Sequence, residues 1–270
     1  MPISNYHTHI YLCKHATGTI EEYILKAIDN NYEVLGISDH GPIDDELTAI
    51  LKSRRMSMDE YYNIYLKELE SLKIKYQDKI TLLRASEVEF YEEYITRYRT
   101  MRSELDYLVL GQHEIFRDGK YKSVYFNNDL ADVMIYAETV CKAMDTKLFR
   151  ILAHPELFMY SIKKFDETCE KASRMIIESA IKNNVILEIN ANGIRRPKYK
   201  GLDHLDDQNY AYPHPEFWKL VHEYQQHSNV DVVINDDSHS VLNFNDECTE
   251  VAFNFAKRYN IKVLDKITLL

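Results

Sequence analysis

Apolar residues gather along this chain in short runs rich in Val, Ile and Leu. The runs are Ile3–Tyr6, Val34–Ser38, Ile80–Ala85, Tyr107–Leu110, Phe149–Ala153, Val185–Ile189 and Val230–Ile234, with a weaker eighth at Ile261–Leu264. Continuous apolar runs of this length predict strands buried on both faces. Between them lie amphipathic segments that predict helices. Thr19–Asn31 opens with Thr19 as N-cap and carries Glu21 and Glu22 in its first turn. Ser57–Tyr76 places Met58, Tyr61, Tyr62, Tyr65, Leu66 and Leu69 at i, i+3, i+4 spacing. Asn128–Met144, Asp166–Asn183, Pro215–His227 and Asp246–Tyr259 have the same character.

Strand and helix alternate throughout, which predicts a parallel sheet with right-handed crossovers. Seven or eight such units suit a closed barrel better than an open sheet, and 270 residues is the length of one α/β barrel. Gly and Pro are few, at 7 and 6, so no Gly-rich linker divides the chain.

The strand ends change the picture from fold to chemistry. His7-Thr8-His9 and then His15 follow the first run, and Ser38-Asp39-His40 closes the second. Ser86-Glu87 follows the third, Gly111-Gln112-His113 the fourth, His154 the fifth and Asp237-Ser238-His239 the seventh. In an α/β barrel the C-terminal strand ends converge on one face, where active sites form. Side chains two apart on a strand point the same way, so His7 and His9 can reach one ion, and Asp237 and His239 can approach the cluster from the opposite wall. Seven of the 11 histidines belong to these motifs; His204, His214, His222 and His227 read as surface or loop positions. Imidazole with some carboxylate suits Zn, Fe, Mn or Co better than Mg or Ca. Nine such ligands exceed one coordination sphere and predict two or three divalent ions with a bridging carboxylate. Cys13 lies between two of the histidines and reads either as a further ligand or as a small packing residue.

In this order, HTH, SDH, a Glu, two separate His and DxH, the motifs resemble the PHP (polymerase and histidinol phosphatase) family. The resemblance runs from His7 to His239. A narrower likeness is to PHP-type histidinol-phosphate phosphatases. It rests on His7-Thr8-His9 with Cys13-Lys14-His15-Ala16 and Gly18, on Arg55-Met56, on Asn190-Ala191-Asn192-Gly193-Ile194-Arg195 and on Tyr212-Pro213-His214-Pro215. The resemblance implies a distorted (β/α)7 barrel, one domain over residues 1–270, with three metals. His7, His9, Glu87 and Asp237 would hold the first ion. Glu87 would bridge to a second, held also by His113 and His154, and His15, His40 and His239 would hold the third. Glu89 would have a supporting role, and Asp236 would sit behind the ligands.

The expected reaction is hydrolysis of a phosphate monoester, with L-histidinol phosphate as the substrate the narrower likeness implies. A metal-bound hydroxide held by Glu87, Asp237 and His239 would attack phosphorus. Arg195 is the leading candidate to grip the phosphate through its planar fork, with Arg55 and Arg196 behind it. Some positions depart from the family pattern. Ala191 and Asn192 replace its Thr and Ser, Leu157-Phe158-Met159-Tyr160 replaces a polar, basic stretch, and Gly111-Gln112-His113 replaces Ser-Val-His. These departures bear on the leaving group and keep another small phosphate ester in view; an amidohydrolase-type hydrolase and a non-catalytic metal-binding protein are further rivals.

The net charge of −10 argues against binding nucleic acid and for a small phosphorylated substrate drawn in by bound metal. There is no signal segment and no apolar stretch of membrane-spanning length. Cysteines 13, 141, 169 and 248 form no CxxC pair, which fits free thiols and a cytoplasmic setting. No sequence feature marks an oligomer interface.

Overall fold

The computed structural model describes residues 2–126, 129–196 and 209–269. The chain divides into two compact units, Met1–Val109 with Asn235–Asp246 and Asp265–Leu270, and Leu110–Ile234 with Glu247–Leu264.

The first unit runs β1 (Ser4–Asn5), α1 (Ile20–Asp29), β2 (Val34–Ile37), α2 (Asp45–Leu51), α3 (Met58–Glu60), α4 (Leu66–Lys75), β3 (Thr81–Val88), α5 (Ile95–Glu104) and β4 (Tyr107–Leu110, whose last residue belongs to the second unit). β1 pairs in parallel with β2, Ser4 opposite Val34, and β2 with β3, Val34 opposite Thr81. Every residue of β2 and β4 is buried, as strands covered on both faces require. Helix α1 starts at a reciprocal cap: the Thr19 hydroxyl accepts from Glu22 N–H at 3.2 Å, and the Glu22 carboxylate from Thr19 N–H at 2.8 Å. A π-turn at Tyr61–Tyr65 joins α3 to α4 and buries both tyrosines. The Tyr65 hydroxyl lies 2.9 Å from the Ile37 carbonyl and 2.7 Å from that of Ala85, tying α4 to β2 and β3. Gly36 is required by a close approach. A Cβ there would lie 1.9 Å from the Tyr107 hydroxyl, which donates to the Tyr6 carbonyl at 2.6 Å.

The second unit opens with a hairpin, β5 (Glu114–Arg117) and β6 (Lys120–Ser123), followed by α6 (Leu130–Asp145), β7 (Ile151–Leu152), α7 (Glu167–Asn183), β8 (Ile186–Asn190), α8 (Pro215–Gln225), β9 (Val232–Asn235, whose last residue belongs to the first unit) and α9 (Glu247–Arg258). β7 pairs in parallel with β8, Ile151 opposite Ile186. The seven main strands take the order β1-β2-β3-β4-β7-β8-β9, which follows the chain, so the expected (β/α)7 topology is present.

Several elements differ from the sequence pattern. The weak eighth run, Ile261–Leu264, is not a strand: Ile261 N–H closes the end of α9 on the Ala256 carbonyl at 2.9 Å, and Leu264 N–H reaches the Val232 carbonyl at 2.8 Å. β3 runs on past Ala85 to Val88 and so takes Glu87 into the strand. Helix α6 begins at Leu130 behind the N-cap Asp129, and Asn128 lies outside the described residues. Among the described residues no helix is long and apolar enough to cross a membrane.

Candidate metal centre

Two parallel bridges continue beyond the regular ladders of the first unit and place its histidines. Thr8 bridges to Ser238 and His40 to Glu87. The first puts His7 and His9 on either side of Thr8, facing Asp237 and His239 on either side of Ser238. His9 N–H donates to the Ser238 carbonyl at 3.0 Å, and Thr17 N–H to that of His239 at 2.9 Å. The second is held by Gly41 N–H on the Glu87 carbonyl and Glu87 N–H on the Ser38 carbonyl, each at 2.9 Å. The HxH pair therefore converges although β1 itself ends at Asn5.

Seven of the nine expected ligands lie in this unit: His7, His9, His15, His40, Glu87, Asp237 and His239. His9 Nε2 is 3.0 Å from His7 Nε2, 3.0 Å from Asp237 Oδ1 and 3.4 Å from Glu87 Oε2. His7 Nε2 is 3.5 Å from Glu87 Oε2 and 3.7 Å from Asp237 Oδ1. His40 Nδ1 is 3.0 Å from the same Glu87 oxygen. The rings of His9 and His239 stack at 4.1 Å, and the exposed His15 ring lies 5.0 Å from each of His40 and His239. Among the described residues of this unit three sets, His7/His9/Glu87, His9/His40/His239 and His9/Cys13/Asp39, bring their ligand atoms within 4.8 Å of one another.

Two imidazole nitrogens 3.0 Å apart, fully buried beside two carboxylates, make a donor set of the kind that holds a transition-metal ion. The electrostatics agree. Burial pushes the Asp237 carboxyl up, but His7, His9 and His239 outweigh it and hold the group well below its ordinary 3.8. Burial works against protonating His9, yet hydrogen bonds with Asp237, Asp39 and Cys13 hold it well above 6.5. Burial, joined by the charge of His9, takes His239 down to about 3. The cluster thus favours positive charge at its centre, of the kind a divalent ion would supply. Asp237 stands at φ 46° and, in the second unit, His154 at φ 33°. Left-handed backbone is uncommon for such residues and gathers at functional sites.

In the second unit the His113 and His154 rings are 5.1 Å apart. His113 stacks on Tyr125 at 5.7 Å and His154 packs 5.4 Å from Tyr212. Glu188 Oε2 accepts from His154 N–H at 3.2 Å and from the Asn190 amide at 2.7 Å. Gly193 lets Tyr212 close on the Asn190–Arg195 turn, since a Cβ there would lie 2.1 Å from the Tyr212 ring. Arg195 is half-buried, with its guanidinium 3.5 Å from the Thr249 hydroxyl, and Arg196 is exposed. Arg55, in the first unit, is buried in an ion pair with Glu89 at 2.9 Å and donates to the Gly41 carbonyl at 3.3 Å. Asp236 accepts from Asn245 N–H at 3.1 Å.

Of the four remaining histidines, His204 lies outside the described residues. His222 and His227 are at or near the surface, as read from the sequence. His214 is more than a loop residue: it caps α8 and stacks on Phe165 at 5.7 Å. Besides Glu188, the sequence reading missed two more buried carboxylates beside the ligand histidines. Asp39 Oδ1 lies 3.3 Å from His9 Nδ1. Glu156 Oε1 accepts from Trp218 Nε1 at 2.6 Å and from His214 N–H at 3.0 Å, and burial takes its carboxyl up to about 7. Only their positions beside His40 and His154 pointed to them.

A "Probable histidinol-phosphatase" of Schizosaccharomyces pombe is 26% identical over 121 residues, 43% of this chain and 40% of the yeast protein, so the chain matches less than half of that relative. A second "Probable histidinol-phosphatase", from Deinococcus radiodurans, is 23% identical over 260 residues, 93% of this chain and 88% of the relative. The histidinol phosphate phosphatase of Lactococcus lactis, solved with Zn, L-histidinol and phosphate, superposes with a TM-score of 0.70 at 15% identity, over 97% of this chain and 95% of that one. That likeness shows the fold. The pattern of the PHP domain matches residues 5–192, and the chain belongs to the PHP domain family.

Proposed function

We propose that this chain is a metal-dependent phosphomonoesterase that hydrolyses L-histidinol phosphate to L-histidinol and phosphate, and that residues 1–270 act as one PHP domain. The observation that carries the reading is the buried meeting of His7, His9, Glu87 and Asp237, with His9 Nε2 3.0 Å from both His7 Nε2 and Asp237 Oδ1. These four would hold one divalent transition-metal ion, and His15, His40 and His239 another. His113 and His154, with Glu87, complete the set that the family pattern implies. Zn, Fe or Mn suits these donors, in two or three ions. When bound, such ions supply Lewis acidity to phosphoryl oxygens and acidify water.

The chain's own residues do the rest. Glu87 and Asp237 hold negative charge at the cluster and keep His9 and its neighbours oriented. Arg195, the leading candidate of the three arginines, grips the phosphate with two N–H donors. Arg55 is neutralised by Glu89, which suits it to bracing the Gly41 turn after His40. The four cysteines are free, which supports a reducing, cytoplasmic setting. The −10 charge supports a small phosphorylated substrate over nucleic acid. Ala191 and Asn192, where the family has Thr and Ser, favour a second reading, the same chemistry on another small phosphate ester.

The test is phosphate release from L-histidinol phosphate beside a panel of other small phosphomonoesters, using zinc-loaded protein. Preference for histidinol phosphate, abolished by a chelator, is the expected result. Turnover of other esters alone would discard the substrate, and no turnover of any ester with metal bound would discard the reaction.

A further inference from the structure

Asp39 belongs to no ligand set in the family pattern, yet it is wholly buried against the most central of the histidines. His9 offers Nε2 to His7, Glu87 and Asp237 at 3.0–3.4 Å. Its other nitrogen, Nδ1, lies 3.3 Å from Asp39 Oδ1, with both side chains at 0% exposure. An imidazole that ligates through Nε2 carries its proton on Nδ1, and the partner of that proton sets the tautomer and the ring plane.

The same oxygen has a second task. Asp39 Oδ1 accepts His40 N–H at 3.0 Å, so one carboxylate oxygen orients the His9 ring and fixes the backbone of the next ligand. The Asp39 main chain is itself pinned, since its carbonyl accepts from the Ser86 hydroxyl at 2.8 Å and from Glu87 N–H at 3.2 Å. Asp39 Oδ2 is buried and has no hydrogen-bond partner. A buried carboxylate oxygen left without a partner is costly. A carboxylate is worth its desolvation where it strengthens an imidazole that faces a cation.

We propose that Asp39 is a positioning residue for the metal centre: through His9 Nδ1–H and His40 N–H it holds two ligands in register, without itself binding the ion. This rests on the metal-site reading above.

The test uses the full chain, zinc as the probe, and the variants D39A and D39N. Zinc affinity is read by competition with a chromophoric chelator, stoichiometry at saturation by elemental analysis, and folding by circular dichroism. The expected result is full zinc stoichiometry at saturation with affinity about 10–100-fold weaker in D39A. D39N, which keeps an acceptor oxygen without the charge, should fall between D39A and wild type. Y98F is the structural control: it removes the acceptor of the buried Tyr91 N–H at 3.0 Å and should lower stability while leaving zinc affinity unchanged. Loss of one zinc equivalent at saturation in D39A would make Asp39 a ligand and overturn the proposal. Wild-type affinity in D39N would overturn it whether or not D39A folds. A wild-type chain that binds no zinc overturns this proposal and the metal-site reading together. Because the readout is affinity, failure of the wild type to hydrolyse any ester would count against the reaction alone.

Discussion

Asn5 and Asn235 exchange hydrogen bonds with each other's neighbours: Tyr6 N–H donates to Asn235 Oδ1 at 2.8 Å, and Asp236 N–H donates to Asn5 Oδ1 at 2.8 Å. Side-chain amides here take the part of a backbone ladder between the ends of β1 and β9. Both residues are 1% exposed, and the ligands His7 and Asp237 follow two residues later on each strand. Asn5 also donates through Nδ2 to the His7 carbonyl at 3.2 Å and the Thr8 hydroxyl at 2.6 Å. N5A and N235A each leave a buried N–H without its acceptor, which should cost about 1–3 kcal/mol of stability. Urea unfolding checks the cost, and zinc content of the folded variants should fall with it. Wild-type stability in both would mean that the exchange does not hold the strand ends.

That exchange explains what could and could not be read from the sequence. The ligand histidines were legible because their chemistry is rare and they stand at the ends of apolar runs. The first strand was legible as a run but not in its length: Ser4–Asn5 is only two residues long, because the amides of Asn5 and Asn235 substitute for ladder bonds. Helix α5 went unread because only Tyr98 and Met101 are buried among its many charged positions, so no apolar stripe marks it. Helix α2 buries Leu47 alone. The β5–β6 hairpin carried a signal of another kind, Asp118-Gly119, both at positive φ as a tight hairpin turn needs. Asp39 and Glu156 could not be found by periodicity, since a buried carboxylate interrupts the pattern in the same way as an exposed one.

Asp237 and His9 meet at 3.0 Å, so removing either should empty the same position. H9A and D237N should fold and bind less zinc. Loss of several kcal/mol of transition-state stabilisation predicts a drop in kcat/KM of about 10²–10³-fold. Elemental analysis beside steady-state kinetics checks this. Undiminished hydrolysis by a folded, zinc-free variant would refute the metal mechanism.

Metal removal should be visible in stability as well as in rate. The ligands His7, His9, Glu87 and Asp237 are brought together only by folding, so an ion bound there favours the folded chain. At 100-fold above its dissociation constant a single ion contributes about 2.7 kcal/mol. For a chain of this size that raises the melting temperature by about 5–10 °C. Calorimetry of zinc-loaded and chelator-treated protein measures the difference, and coincident melts would contradict it.

Acid should weaken the first unit through Asp106. Burial raises its carboxyl, but Arg84 N–H at 2.7 Å, the Arg84 guanidinium at 3.4 Å and Lys73 at 3.3 Å together hold it below 3.8. A carboxyl whose folded value lies below its unfolded one adds stability that is fully present above the unfolded value. That stability is lost as pH falls through the folded one. D106N should therefore cost about 1–3 kcal/mol at pH 7, and the gap to wild type should narrow as pH is taken below 3.8. Urea midpoints across that range test the sign, and a gap that widens in acid would reverse it.

Arg195 separates substrate binding from assembly of the metal site. It follows the Asn190–Gly193 turn against which Tyr212 packs, and its guanidinium has a polar neighbour in the Thr249 hydroxyl at 3.5 Å. It is not among the nine expected ligands, so R195A should retain zinc and fold as wild type. What it should lose is a charge-assisted grip on the phosphate, about 1.5–3 kcal/mol, or roughly a 10–100-fold rise in KM when that grip acts equally in ground and transition states. R195K keeps the charge but not the planar fork and should recover only part of the loss. If R195A and R195K instead lower kcat at constant KM, the guanidinium acts on charge that develops during phosphoryl transfer. If neither changes either parameter, Arg195 is not the phosphate residue.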